Sequence, residues 1–316
     1  MTPPLYLGID IGGTNIKIGL VTAKSRVIAR GVIPTVPANT PLKTFRRIER
    51  TLPALSSGTE KIAATGVGCA GLINSRGVLL SSPNLPVWKK VPLRALARRV
   101  FDVPAVVDND ATAAAYGEFV AGAGKSCSHF ICITLGTGVG GGIIVGGEPL
   151  RGSENFAGEL GHMTIDTDGP RCACGNRGCL EAFIGTRGLL RSARAKLKTA
   201  NGKILGSVIP ARSPKLTPLA IAEAARLGDR IARAVLDEAA AALGCGIASL
   251  VNIFNPEVVA IGGGISGAFD LMKDRVEREV HERSYVAEPS RIVLTRAVLG
   301  NDASIIGAAM LAAHAR

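Results

Sequence analysis

The sequence predicts a two-domain α/β protein, because a strand, a glycine-rich turn and a second strand follow one another at two places. Residues 5–21 read LYLGIDIGGTNIKIGLV, and residues 130–145 read FICITLGTGVGGGIIV. Alternating strand-like and helical segments follow each copy. A length of 316 residues leaves room for two cores of ordinary size. We therefore expect a duplicated α/β domain in which each copy opens with a glycine hairpin.

Helices are expected where Ala, Leu and Arg recur at helical spacing. The segments concerned are 111–121 with Asp110 in the cap position, 221–227, 229–254, 269–281 and 303–315. A third glycine turn, at residues 262–264, follows the strand-like residues 258–261. Residues 200–218 are polar and interrupted by proline, so we expect a surface loop there.

The composition is that of a soluble globular protein, with 47% hydrophobic and 20% charged residues. No apolar run approaches the roughly 18 residues of a membrane helix, and the N-terminus enters a strand without a signal peptide. We expect a cytoplasmic protein without a membrane partner. The net charge of +12 indicates either attraction to polyanions or a scattered basic surface. No basic run is interleaved with aromatic residues, so no nucleic-acid partner is expected.

Three of the seven cysteines lie in one short segment, which favours a reducing compartment and one metal site over disulfides. One imidazole and three thiols form the ligand set of a closed structural zinc site: His162, Cys172, Cys174 and Cys179. Glu159 and Glu181 flank this set. They would repel the phosphates of a nucleic acid, and they are either ligand-binding carboxylates or solvated loop acids.

Two nucleotide-binding motifs occur without the structural context that they need. AGAGKS at 121–126 resembles a Walker A loop, but Phe119 stands where the first glycine belongs. The GxGxxG pattern at 136–141 precedes a strand rather than a helix, and the one at 262–267 has no suitable acidic residue after it. What remains is that successive glycines let backbone N–H groups approach an anion closely.

The first glycine turn has residue types that suit a metal–phosphate complex. Asp10 ends a strand and suits a hydrated Mg²⁺ ion, while Gly12, Gly13 and Thr14 suit phosphate oxygens and Lys17 supplies positive charge. The alternative is a plain hairpin turn.

A second carboxylate pair, Asp108 and Asp110 around Asn109, follows the strand-like VPAVV and precedes the 111–121 helix. From spacing alone Asp110 is either a functional carboxylate or only the N-cap of that helix.

Together, DIGGTNIK, LGTGVGGG and GELGH…CACGNRGCLE resemble the ROK family of the sugar kinase and actin-like superfamily, over essentially the full chain. The resemblance implies two actin-like (ribonuclease H-like) α/β domains with an interdomain cleft and a zinc-pinned loop. We expect a smaller domain at 1–118, completed by a helix at 301–316, and a larger one at 119–300. Family members are mostly ATP-dependent kinases of hexoses or N-acylhexosamines, alongside transcriptional repressors.

The resemblance also implies roles for individual residues. Asp110 is expected to act as the general base that deprotonates a sugar hydroxyl. Acceptors and donors for the other sugar hydroxyls are expected at Asn84, Asn109, Glu159, His162 and Glu181, with Trp88 packed beneath Asn84. The nucleotide is expected at the turns that contain Asp10, Gly12, Gly13, Thr14, Lys17, Thr137, Gly138, Gly263 and Gly264.

The expected activity is transfer of the γ-phosphoryl group of Mg·ATP to the 6-hydroxyl of glucose, in carbohydrate metabolism and glycolysis, by a cytoplasmic homodimer with structural zinc. N-acetylmannosamine or N-acetylglucosamine is an alternative acceptor, and polyphosphate is an alternative donor that the positive charge slightly favours. A sugar-responsive regulator is the alternative from another class. Such relatives carry a DNA-binding domain before the first glycine hairpin, and this chain reaches Asp10 too early to contain one.

Overall fold

The computed structural model describes residues 4–55, 61–199, 216–285, 288 and 291–315, so most of the loop expected at 200–218 lies outside the described residues. The strands are β1 (Leu5–Ile11), β2 (Asn15–Thr22), β3 (Val27–Pro34), β4 (Ile62–Cys69), β5 (Leu72–Ile73), β6 (Leu79–Ser81), β7 (Ala105–Asn109), β8 (Phe130–Leu135), β9 (Val139–Val145), β10 (Glu148–Pro149), β11 (Val258–Gly262) and β12 (Val293–Arg296). The helices are α1 (Pro41–Glu49), α2 (Leu52–Leu55), α3 (Leu93–Phe101), α4 (Asp110–Ala121), α5 (Leu180–Ile184), α6 (Thr186–Thr199), α7 (Pro218–Arg226), α8 (Arg230–Phe254), α9 (Lys273–Arg283) and α10 (Ala303–His314). Both predicted glycine hairpins are present, as β1–β2 and β8–β9.

The chain divides into two compact units. The first contains Met1–Ser128, Gly142–Gly158 and Val298–Arg316, and the second contains His129–Gly141 and Glu159–Ala297. This division differs from the expected one, because residues 119–128 and 142–158 belong to the first unit. Long-range contacts explain the difference: the Arg151 guanidinium donates to the buried Asp108 carboxylate, and Gly142 packs against Ala115. Such contacts leave no trace in local sequence patterns.

The two five-stranded sheets repeat one topology, which agrees with the predicted duplication. The strand order is β3-β2-β1-β4-β7 in one sheet and β10-β9-β8-β11-β12 in the other. In the first, β1 pairs antiparallel with β2 and parallel with β4. In the second, β8 is joined to β9 by a short turn and pairs parallel with β11. Each sheet therefore has a glycine turn beside the carboxyl end of a parallel strand.

Helix α10 packs on the first sheet at backbone contact. A Cβ atom at Gly66 would lie 1.7 Å from the Ala308 carbonyl oxygen, and one at Gly8 would lie 2.0 Å from the Ile305 carbonyl oxygen. Every residue from Ala303 to Ala312 is buried. Only glycine on β1 and β4 admits the helix this closely, so the sheet and α10 form one core.

Helix α8 is long and apolar enough to cross a membrane by length and composition alone. About two thirds of its most apolar window, 67%, is nevertheless buried within the protein, where α8 packs against α5, α6, α7 and α9. Asp229 caps it by accepting from the Ala232 N–H at 2.7 Å. Its apolar composition is that of a core helix.

Gly66→Ala is expected to lower the free energy of unfolding by about 1–3 kcal/mol or more, because its methyl group would overlap the Ala308 carbonyl. Urea denaturation measures this. Gly267→Ala is the matched control, since a Cβ there meets nothing within 4 Å. Equal denaturation midpoints for the two variants would contradict the close packing of α10.

Candidate active site

The β1–β2 turn holds a buried carboxylate with two polar partners. The Asp10 Oδ2 atom accepts from the Ser304 hydroxyl at 2.6 Å and pairs with the Lys17 ammonium at 3.3 Å. The turn itself is closed by the Gly12 N–H donating to the Asn15 carbonyl and by the Thr35 hydroxyl donating to the Gly12 carbonyl. Asp10 and Lys17, both expected to serve the metal–phosphate complex, are therefore paired with each other.

Asn84 lies beside this turn, as predicted for a residue that faces the ligand. A Cβ atom at Gly13 would lie 3.0 Å from the Asn84 Cβ atom. The segment is anchored by Trp88, which is 1% exposed and donates from its indole nitrogen to the Asn39 carbonyl at 2.9 Å. The burial of Trp88 is consistent with the expected packing beneath Asn84. The sequence did not predict the indole hydrogen bond to Asn39.

The N-cap of α4 is Asn109, not Asp110 as the spacing suggested. The Asn109 Oδ1 atom accepts from the backbone N–H groups of Ala111 at 2.8 Å and Thr112 at 3.2 Å. Its Nδ2 atom donates to the Gly71 carbonyl at 3.2 Å. An amide nitrogen has two hydrogens, so one remains for a ligand. Asp110 occupies the first turn of α4.

Asp110 and Asp10 lie at the same edge of the first sheet, where the parallel strands β1, β4 and β7 end. Both carboxylates lie close enough to Cys69, at the end of β4, for their charges to act on its thiol. Burial, and then the negative charges of Asp110 and Asp10, raise the pKa of the Cys69 thiol well above its ordinary value. The structure thus brings together two of the predicted site carboxylates, which are about 100 residues apart in the sequence.

Asp108 anchors the segment 151–155. Its side chain is buried and accepts from the Arg151 Nε atom at 3.1 Å and the Asn155 Nδ2 atom at 3.2 Å. Asn155 has a φ of +70° and also donates to the Ile73 carbonyl at 3.1 Å. No local signal in the sequence marks Arg151 or Asn155 as a partner of Asp108.

The second unit has its own glycine-lined edge. Parallel strands β8 and β11 end side by side, which brings the turn of Thr137 and Gly138 next to Gly263 and Gly264. Gly263 has a φ of +84°, and a Cβ there would lie 2.3 Å from the Leu135 carbonyl oxygen, so only glycine fits. Thr137, Gly263 and Gly264 are exposed. This edge allows the close backbone approach that a phosphate or nucleotide requires.

The four predicted zinc ligands come together. Their ligand atoms, one each from His162, Cys172, Cys174 and Cys179, all lie within 4.8 Å of one another. The Sγ atoms of Cys174 and Cys179 are 3.7 Å apart, and the Cys172 Sγ atom is 3.8 Å from the His162 Nδ1 atom. Tetrahedral zinc with Zn–S bonds of about 2.3 Å separates its sulfur ligands by about 3.8 Å. The donor set and its spacing therefore fit structural zinc.

The thiols of this cluster differ in their acidity without metal. Burial raises the pKa of Cys172 to about 12 and also raises the pKa of Cys179. A backbone hydrogen bond at Asn176 lowers the pKa of Cys174. Zinc binds thiolates, so metal binding would displace protons from the two buried groups. The Nδ1 atom of His162 faces the sulfurs, and the ring nitrogen Nε2 is the one that remains for a ligand or a second hydrogen bond.

The two acidic residues that flank the cluster have different surroundings. Glu159 is exposed at the start of a 3₁₀ turn, Leu160–His162. Glu181 is half-buried in the first turn of α5, where its carboxylate accepts from the Val139 N–H at 3.0 Å. Its other oxygen lies 3.6 Å from the Cys172 Sγ atom. The sequence predicted both residues as sugar ligands, but the bond from Val139 to Glu181 was not foreseen.

The class of protein follows from these features. Two units of related topology, each with a glycine turn at the end of a parallel strand and one with carboxylates beside it, form the framework of the actin-like phosphotransferases. A Cys₃His segment is added to the second unit.

The model of the ROK family matches residues 6–315, and the chain belongs to the ROK family. A glucokinase of Thermotoga maritima is 35% identical over 308 residues, which cover 96% of each chain. A solved ROK family glucokinase from Streptomyces griseus, in complex with glucose and AMPPNP, is 35% identical with a TM-score of 0.78 and covers 98% of this chain and 99% of that one. A xylose repressor of Caldicellulosiruptor bescii is 35% identical over 264 residues, 83% of this chain and 65% of that protein.

Cys179→Ser is expected to reduce bound zinc from one atom per chain to well below one and to lower the melting temperature, because a tetrahedral site loses a ligand. Elemental analysis and thermal denaturation measure these effects. Cys245→Ser, which changes a half-buried thiol outside the cluster, is expected to retain the metal. A fully folded wild-type protein without zinc after purification would contradict the structural role.

Proposed function

We propose that this protein is an ATP-dependent glucokinase, which transfers the γ-phosphoryl group of Mg·ATP to the 6-hydroxyl of glucose. The similarity to glucokinases over nearly the whole chain supports this activity. A repressor relative matches a smaller part of its own length. The acceptor and the donor then bind at the two sets of residues described above.

The observation that carries the proposal is the position of Asp110. Asn109 supplies the N-cap of α4, and Asp110 is the first residue of that helix. The end of β7 and the start of α4 fix its backbone, and Asp10 lies near it across Cys69. A carboxylate held this way at the edge of a parallel sheet suits a general base beside a metal-bound phosphate.

In the proposed reaction Asp110 accepts the proton of the 6-hydroxyl while the oxygen attacks the γ-phosphorus. The new O6–P bond forms as the bond between the γ-phosphorus and the β,γ-bridging oxygen breaks, and ADP leaves with that electron pair. The proton remains on Asp110 until solvent takes it. Such transfers depend on alignment and charge neutralisation more than on covalent chemistry.

The remaining residues would orient the two substrates. Asn84, Glu159, His162 and Glu181 would exchange hydrogen bonds with the sugar hydroxyls, because carboxylates and amides pair well with them. The two glycine turns would approach the phosphates, and Asp10 would hold the hydrated Mg²⁺, which neutralises phosphate charge when bound. Lys17 would then move from Asp10 toward a phosphate oxygen.

Several finer features stay predictions from the sequence. They are the homodimer, the cytoplasmic location, the role in glycolysis and the absence of nucleic-acid and membrane partners. N-acetylmannosamine or N-acetylglucosamine remains an alternative acceptor, because the proposed contacts touch hydroxyls that these sugars share with glucose.

A coupled assay should show ATP-dependent phosphorylation of glucose above mannose, fructose and the two N-acetyl sugars. Polyphosphate in place of ATP tests the alternative donor. No turnover of any sugar, together with specific binding to a DNA operator, would contradict the kinase and favour a regulator.

Asp110→Asn is expected to lower kcat by about 10²–10⁴-fold with little change in the KM for glucose, because it removes only the base. Asp108→Asn is the matched control two residues away. It removes the charge that faces Arg151 and is expected to lower thermal stability more than kcat. Near-normal kcat for Asp110→Asn would show that the base is elsewhere.

A further inference from the structure

Glu181 lies in the first turn of α5, directly beside the segment that holds the predicted zinc ligands. The N-cap of α5 is Cys179, one of the four predicted zinc ligands, and the Leu180 N–H donates to the Met163 carbonyl at 2.9 Å. The backbone at Glu181 is therefore fixed by the metal segment on one side and by the helix on the other. A carboxylate on such a rigid support can position whatever it contacts.

What Glu181 contacts is the second glycine turn. Its Oε2 atom accepts from the Val139 N–H at 3.0 Å, and a Cβ at Gly138 would lie only 2.4 Å from this oxygen. The absence of a side chain at Gly138 thus makes room for the carboxylate. The contact with Glu181 therefore accounts for a glycine at position 138 whether or not a phosphate approaches the turn.

The other end of the same turn is held by the residues that follow α5. Thr186 donates to the Gly136 carbonyl twice, from its backbone N–H at 3.0 Å and from its hydroxyl at 2.9 Å. Residues 136–139 are thus clamped at both ends by the segment 181–186, which continues from the zinc loop. Hydrogen bonds to an ionised acceptor are stronger than neutral ones, so Glu181 makes the firmer of the two attachments.

The two oxygens of Glu181 face different neighbours. Oε2 is committed to the turn expected to approach the nucleotide, and Oε1 lies on the side of Cys172, 3.6 Å from its sulfur. A negative charge this close to a phosphate-binding turn would repel the phosphate if no partner neutralised it. Its bond to Val139 N–H neutralises part of that charge and fixes the shape of the turn.

We propose that Glu181 is a positioning residue that couples acceptor binding to donor binding: one oxygen holds the 136–139 turn while the other receives a hydroxyl of the acceptor sugar. A sugar hydroxyl on Oε1 fixes the carboxylate, and the fixed carboxylate orders the turn. Sugar therefore raises nucleotide affinity, and nucleotide raises sugar affinity by the same factor. The sugar half of this inference rests on the proposed kinase function, whereas the hold on the turn does not.

The test measures AMPPNP affinity by calorimetry, with and without saturating glucose, for the zinc-loaded wild type, Glu181→Gln and Glu159→Gln. In the wild type, glucose is expected to tighten AMPPNP binding by about 5-fold or more. Glu181→Gln is expected to weaken AMPPNP binding by about 10-fold even without glucose, since the charged acceptor for Val139 is lost, and to abolish the effect of glucose.

Glu159→Gln is the matched control, because it removes the other flanking carboxylate, which is exposed at the far end of the metal segment. It is expected to weaken glucose binding but to leave AMPPNP affinity without glucose unchanged, and saturating glucose should still tighten AMPPNP binding. A residue that served only as a sugar ligand would give this result at position 181 as well. AMPPNP affinity within 2-fold of the wild type for sugar-free Glu181→Gln would overturn the proposal.

Two further measurements keep the outcome decisive. If Glu181→Gln fails to fold, Glu181→Asp retains the charge but withdraws it from Val139, and it is expected to show the same loss of sugar-free AMPPNP affinity. Wild-type AMPPNP affinity in that variant would also overturn the proposal. Absence of glucose turnover by the wild type would refute the proposed function alone, because the sugar-free comparison still tests the hold of Glu181 on the turn.

Discussion

The side-chain amide of Asn109 determines what the two neighbouring carboxylates can do. It accepts from the backbone N–H groups of Ala111 and Thr112 and so caps α4. Asp108, which strand alternation places on the face opposite to Asn109, accepts from Arg151 and Asn155. Three consecutive polar residues thus have separate roles: Asn109 caps a helix, Asp108 ties a distant segment to the sheet, and Asp110 is the proposed general base.

The carboxylates of the site illustrate a common electrostatic arrangement. Unpaired acidic residues would repel the phosphates of ATP. The proposed function nevertheless needs acidic residues to bind the metal and the sugar and to accept a proton. In the structure Asp10 is paired with Lys17, Asp108 with Arg151 and Glu181 with a backbone N–H group. Each pairing lowers the local negative charge while fixing the direction of the carboxylate.

Much of this architecture could be predicted from the sequence, because its signals are local. The two hairpins follow from apolar runs around glycine turns, the long helices from their periodicity, and the Cys₃His cluster from the spacing of its residues within one segment. The features that were missed join residues far apart in the chain. Ser304 reaches Asp10, Arg151 reaches Asp108, and Glu181 reaches Val139. The sequence also did not predict that Asn109 rather than Asp110 caps α4, because the two residues are adjacent and Asn and Asp cap helices equally well.

The packing of α10 on glycine has a consequence for synthesis on the ribosome. The face of β1 and β4 that α10 covers, and the hydroxyl of Ser304 that holds Asp10, are completed only when residues 303–314 emerge. Domains generally fold as units in the order of their synthesis. Here most of the second unit, residues 159–297, precedes the last part of the first. The nascent chain therefore carries an uncovered apolar sheet face through most of translation, which makes the early first unit a natural client for chaperones.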